Sequence, residues 1–215
     1  QFIAGVRYED YEQVTDTFTL QVPPQPLSTE LSDAVWLPSL GYNWFFRENQ
    51  TLRFGISQTV SRPDFKETSN ALFFDPDFNI TVRGNPNLQV SDATNLDARY
   101  QFYWDDIDNI SFGVFYKELD NPIERVVNVA SGTVGNSRTF QNSDSAEIYG
   151  IELEGRKGWN IGNSLSKSFF IAANASWIES EVQLTGQAIN TRALQGQPEY
   201  VVNLIFGYDD IDNGQ

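Results

Sequence analysis

The 215-residue chain has no cysteine, no histidine and no methionine, and its 14 basic residues are outnumbered by 29 acidic ones. Without cysteine there is no disulfide framework and no thiolate chemistry, whether zinc, iron–sulfur or nucleophilic. Without histidine the usual general base and the commonest metal ligand are both missing. No catalytic residue, no metal site and no cofactor is therefore expected. The absent methionine fits a processed or excised piece of a longer chain. A net charge of −15 would repel phosphates, which argues against a nucleic-acid partner. No stretch approaches the ~18 consecutive apolar residues of a transmembrane helix, and no signal peptide opens the chain. Strands of ~9–11 residues can still cross a bilayer with a single apolar face, and a hydropathy window barely registers them.

Aromatics make up 14% of the chain, too many for a disordered segment. Their spacing is period two. Leu96, Ala98, Tyr100, Phe102 and Trp104 alternate with Asn95, Asp97, Arg99, Gln101 and Tyr103. Successive strand residues point to opposite faces, so one face here is apolar and the other polar. The same split runs through Phe2, Ala4, Val6 and Tyr8, through Pro38 to Phe46, and through Leu52, Phe54 and Ile56. It returns at Tyr149, Ile151 and Leu153, at Phe169 to Trp177, and at Tyr200 to Tyr208. The strand from Ile110 is less clean, because Phe115 falls on the face of Ser111, Gly113 and Lys117. About eight strands and no convincing helix are predicted.

The predicted connections alternate in length. Residues 47–50, 105–109 and 160–167 are short and rich in Asn, Asp, Gly and Ser. Residues 13–36, 63–93, 131–145 and 185–198 are long and carry most of the prolines and many acids. Tight turns at one end and long loops at the other belong to an up-and-down membrane barrel. A soluble sandwich also alternates apolar with polar positions, but its wet face favours Lys, Glu and Thr. Here that face carries Gly, Asn and Ser. Aromatics gather near both ends of the apolar face: Trp44, Phe46, Trp104 and Phe169 beside short turns, and Tyr8, Tyr116, Tyr149, Trp177 and Tyr200 toward long loops. Two interfacial girdles produce that distribution. The fold class expected is all-β, a portion of an antiparallel up-and-down transmembrane β-barrel.

Six local motifs follow in order: Ala4-Gly5-Val6-Arg7-Tyr8-Glu9; Ser57 through Arg62-Pro63-Asp64-Phe65; Arg83-Gly84-Asn85-Pro86-Asn87-Leu88; Phe115-Tyr116-Lys117 with Asn121-Pro122-Ile123; Tyr149-Gly150-Ile151-Glu152-Leu153; and Leu194 through Tyr200. In this order, over most of the chain, they resemble the barrel domain of TonB-dependent outer-membrane receptors. The resemblance implies about eight strands of a plugged barrel of about 22. Residues 1–215 then form a partial barrel domain, roughly its third quarter, without the plug, the TonB box or the C-terminal strand. Two unpaired edges and a lipid-facing surface imply order only beside further strands, copies of the chain or detergent. The implied location is the outer membrane of a Gram-negative bacterium. The implied partners are the plug domain of the same receptor, TonB (with ExbB and ExbD) through the missing N-terminal part, and outer-membrane lipid and lipopolysaccharide. The implied function is uptake of a scarce ligand such as a siderophore, cobalamin or an oligosaccharide, not enzymatic work. A passive porin-like barrel and a soluble β-sandwich carbohydrate-binding or adhesion module stand as alternatives.

Candidate site residues form two groups. Arg7, Glu9, Arg53, Asp97, Arg99, Lys117, Glu152, Glu154 and Arg156 are expected to line the lumen, because Arg or Lys turned to lipid at mid-depth costs about 2–4 kcal/mol. They would dock a plug or pair with one another. The loop 63–93 offers Phe65, Phe73, Phe74, Asp75, Asp77, Phe78 and Arg83 at the barrel mouth, where aromatics and acids can stack on and hydrogen-bond a ligand. The alternative is a loop folded on its own aromatic cluster. Two copies of Asp-Asp-Ile-Asp-Asn, at 105–109 and 209–213, share the acid spacing of a calcium loop but lack its closing Glu. They read as plain turns. Glu152 and Glu154 share a strand face without an opposing acid, so they do not form a glycosidase pair.

Overall fold

The computed structural model describes residues 1–19, 22–76, 79–105, 108–127, 137–161, 167–184, 186 and 190–210. In chain order the strands are β1 (Phe2–Phe18), β2 (Pro26–Arg47), β3 (Gln50–Ser61), β4 (Leu72–Asp75), β5 (Ile80–Arg83), β6 (Ser91–Tyr103), β7 (Asn109–Asp120), β8 (Ile123–Val127), β9 (Ser137–Asn142), β10 (Ser145–Asn160), β11 (Lys167–Gln183), β12 (Thr191–Arg192) and β13 (Tyr200–Asp210). One helical turn, α1 (Phe65–Thr68), interrupts them.

Eight long strands, β1, β2, β3, β6, β7, β10, β11 and β13, hydrogen-bond in that order as an antiparallel meander. They match the eight expected from alternation. Residues directly opposite in an antiparallel ladder share a face, so the register sorts the two sides of the wall. One side runs through Leu40↔Ile56, Phe54↔Ala98, Val114↔Ile151, Ile151↔Trp177 and Ala175↔Val202. Among the described residues, no second layer covers this side. Leu96 is 41% exposed, Trp104 57%, Val202 74% and Phe206 70%. A sandwich would bury the same positions against an opposing sheet.

The buried core lies on the other side. Val126, Ala146, Val182 and Leu184 cluster with Leu119 and Leu194. Leu119, Ala146 and Val182 occupy one register row of β7, β10 and β11, on the polar face of the wall. Val126 comes from β8, which belongs to a separate four-stranded sheet in the order β4-β5-β9-β8. That small sheet is antiparallel except where β5 runs parallel to β9. It sits at the long-loop end, packed over the inner face.

One of the expected loops is largely strand, and two others contain short elements. Residues 13–36 continue β1 and β2 in register as far as Phe18↔Pro26. The residues of 63–93 include α1, β4 and β5, and β9 lies within 131–145. Phe115 does face inward, as its position in the sequence required. Its ring lies over Gly150 on the neighbouring strand, where an added Cβ would stand 2.7 Å from the ring and 2.4 Å from the Trp177 carbonyl oxygen. An inward aromatic is accommodated by a glycine across the ladder.

Candidate functional site

The inner face is built from small residues with charges between them. All nine expected lumen residues fall on this face by register: Arg7 opposite Leu37, Glu9 opposite Val35, and Arg53 opposite Arg99. Asp97 stands opposite Phe115 and Lys117 opposite Ile148. Glu152, Glu154 and Arg156 alternate along β10. Their assembly depends on Gly113, which lies between Arg99 on β6 and Glu152 on β10. With no side chain between them, Arg99 spans the intervening strand and bonds Glu152 at 3.0 Å and Glu154 at 3.2 Å. These three residues are about half exposed, so each pair adds little stability by itself. Toward the short turns, the Arg156 guanidinium stacks over Phe170 at 4.2 Å, and its buried Nε makes no hydrogen bond.

A second cluster stands where the loop 63–93 leaves the wall. Arg62 bonds Glu9 at 2.6 Å and Asp33 at 2.8 Å, and its guanidinium lies 4.7 Å from the Tyr11 ring centre. Burial opposes its charge, but the two carboxylates hold it more firmly protonated than a free arginine. Glu9 also meets Arg7 at 2.8 Å. The sequence placed Arg62 inside a motif and assigned it no role. The structure makes it the peg that ties the loop to the β1–β2 hairpin.

The loop itself is secured by polar contacts. Asp64 caps α1, accepting from the Glu67 amide at 2.8 Å, while the Glu67 side chain accepts from the Asp64 amide. This is a capping box. Burial pushes the Glu67 carboxyl above its ordinary value. Thr68 is buried and meets Gln13 and Thr15 of β1, 3.1 and 3.2 Å away. Gly84 packs against the end of α1, and the Asn85 amide donates to the Glu67 carbonyl at 2.6 Å. The Asn85 side chain donates to the Phe140 carbonyl on β9. Asn142 bonds both the Gln89 backbone and the Asn121 carbonyl. The Arg83-Gly84-Asn85-Pro86 motif is thus a strap between loops.

Of the expected mouth residues, Asp75 pairs with Arg125 at 2.7 Å and Arg83 bonds the Asn70 side chain at 2.9 Å. Lys66 lies 5.1 Å from the Phe73 ring centre. These three hold the cap together. Phe65 and Phe74 remain 65% and 61% exposed. Asp77 and Phe78 lie outside the described residues. Among the described residues of the loop, the polar contacts are extensive and two rings stay outside. At the other end, Asp108 is buried in the turn after β6. It accepts from the Gly158 amide at 2.7 Å and pairs with Lys157. The lysine holds the Asp108 carboxyl below its ordinary value. No group of three or more metal-ligating side chains is found among the described residues.

A wall with one bare apolar face, and a charged face with loops folded over it, is what a stretch of an outer-membrane β-barrel presents. The family model for TonB dependent receptor-like, beta-barrel matches residues 1–215, and the chain belongs to that family. It is an outer-membrane protein. Among solved structures, it resembles a mutant of the ferric enterobactin receptor PfeA of Pseudomonas aeruginosa in complex with enterobactin, with 17% identity and a TM-score of 0.56. That match covers 85% of this chain and 27% of the receptor. The siderophore receptor PirA of P. aeruginosa matches at 16% identity and TM-score 0.53, over 95% of this chain and 40% of the other. A double mutant of the Serratia marcescens hemophore receptor HasR, in complex with HasA and heme, matches at 11% identity and TM-score 0.57. It covers 94% of this chain and 34% of the receptor. The chain therefore spans well under half of each receptor, and the likeness is one of fold. No curated protein matches it.

Proposed function

We propose that this chain is part of the barrel wall of a receptor that takes up a scarce iron chelate across the outer membrane, driven by TonB. The carrying observation is the inner face. A passive pore needs an open, water-filled lumen, whereas this wall offers ion-paired side chains and a loop sheet folded inward over it. The family is one of transporters, not enzymes. In this reading residues 1–215 are a partial barrel domain. Arg99, Glu152 and Glu154, with Arg53 and Asp97 beside them, meet the plug domain of the same receptor. TonB, with ExbB and ExbD, acts through that plug. Phe65 and Phe74, at the mouth, contact the ligand, and lipid and lipopolysaccharide cover the apolar face. The solved neighbours' ligands, enterobactin and heme, favour an iron chelate over cobalamin or an oligosaccharide.

The test is growth and uptake in cells carrying the full-length receptor, with ferric enterobactin, other ferric siderophores or heme as sole iron source. One of these should support growth only when TonB is present, and the double substitution F65A/F74A should weaken binding of that chelate. Uptake that persists without TonB would replace this reading with the passive pore.

A further inference from the structure

The lipid-facing side is not evenly filled. Near the short turns, the row Ile110, Gly155, Ala173 crosses β7, β10 and β11 in register. The two small residues leave a groove of about 470 Å³, walled by Trp104, Ile171 and Trp159. This is within the ~300–1,000 Å³ of small-ligand sites. The wall's own packing does not demand the gap. A Cβ on Gly155 would meet nothing closer than the Asn109 carbonyl at 3.6 Å and Ile110 at 4.0 Å, which is ordinary contact. Trp159 is a firm post, stacked on Phe169 with ring centres 5.0 Å apart. Trp104 packs edge-on against Phe102.

Lys157 lines the same groove, opposite Ile171. Strand ends aside, it is the one cation on the lipid-facing side among the described residues. Its side chain is half exposed and pairs with Asp108 in the turn. An ammonium has three donors, so the pair with Asp108 leaves capacity for a second anionic oxygen. An apolar groove continuous with the lipid-covered wall, flanked by tryptophans at headgroup level and ending on a lysine, fits an acyl chain that carries a phosphate. Barrels of this class keep their short turns on the periplasmic side, where the bilayer is glycerophospholipid. We propose that the groove seats one acyl chain of a periplasmic-leaflet glycerophospholipid, with Lys157 contacting its phosphate. A free phosphate has no use for the apolar groove, and the site does not depend on which ligand the receptor imports.

The full-length receptor, exchanged into a lipid-free detergent, is titrated with palmitoyl-oleoyl-phosphatidylglycerol and the bound lipids are counted by native mass spectrometry. Wild type should show one saturable phospholipid. Gly155→Leu and Ala173→Phe, which fill the groove from neighbouring strands, should abolish it while the unheated protein keeps the gel mobility of a folded barrel. Lys157→Gln should weaken binding about fivefold, the scale of one lysine facing anionic lipid. Equal retention by wild type and both filled variants would overturn the proposal. So would an unaffected Lys157→Gln variant, or a groove that takes lipopolysaccharide in place of the phospholipid.

Discussion

Replacing Gly84 by Ala should loosen the loop strap without touching the wall. A Cβ at this position would stand 1.9 Å from the Ser69 carbonyl oxygen, 2.5 Å from that of Lys66 and 2.9 Å from that of Glu67, against 3.4 Å for ordinary contact. All three obstacles are backbone atoms at the end of α1, so no side chain can swing away. The segment has to part from the helical turn. It then loses the bond from the Asn85 amide to Glu67 and the 3.4 Å contact from the Gly84 amide to Ala71. Overpacking costs about 1–3 kcal/mol, and two lost hydrogen bonds add about 0.5–1.5 kcal/mol each. Local opening should rise by roughly 30-fold or more, since each ~1.4 kcal/mol is a factor of ten. Limited proteolysis of the full-length receptor in detergent reads this directly. Cleavage between residues 63 and 90 should accelerate, while the melting of the barrel stays put, because the three atoms nearest the new methyl all belong to α1 and its C-terminal cap rather than to the eight wall strands. Unchanged cleavage, or a wall that melts earlier in step with the loop, would refute the reasoning.

Other outcomes follow from the same geometry. Leu96→Arg should destabilise the folded barrel in lipid by about 2–4 kcal/mol if its site is near mid-depth, while Asp97→Asn, one residue along on the inner face, should stay within about 0.5 kcal/mol; reversible denaturation in vesicles compares them. The double variant E152Q/E154Q removes two half-exposed pairs worth about 1 kcal/mol or less each. Barrel melting should therefore barely move, while hydrogen exchange in the plug rises if the plug docks on this cluster. Asp108 carries a lowered pKa, so its stabilising effect is complete above the ordinary aspartate range and fades only as pH falls through the lowered value. Stability-against-pH curves of wild type and D108N should therefore differ at neutral pH and converge in strong acid; curves that stay parallel throughout would contradict the pairing with Lys157.

The wall was legible because hydrocarbon imposes one rule on its outer residues, and period two makes that rule visible from Leu96 to Trp104 or from Tyr200 to Tyr208. Beyond the bilayer the rule lapses. On β1 the outward residues become Asp10, Glu12 and Asp16 while the inward ones are Gln13 and Thr15. Both faces are then polar, and the ladder continues without a hydrophobic contrast to announce it. The small sheet was illegible for another reason: its strands are four to six residues long, and β5 pairs with β9 across more than 50 intervening residues. The charged inner face could be assigned by alternation alone, and all nine residues lie there. Which of them touch could not, because the Arg99–Glu152 contact needs the registers of β6, β7 and β10 and the gap at Gly113. Arg62 was within reach, since a motif arginine just past a strand end, with acids on the neighbouring hairpin, is a natural peg.

The central claim is that lipid, not protein, covers the row through Leu96 and Phe102. Single cysteines placed one at a time at residues 96 to 102 of the full-length receptor in vesicles, each spin-labelled, test it by collision with oxygen and with a water-soluble nickel chelate. Labels at 96, 98, 100 and 102 should relax with oxygen, and those at 97, 99 and 101 should not, giving a strict two-residue period. Labels at the even positions shielded from both reagents would mean that another protein layer covers them, and would contradict the account.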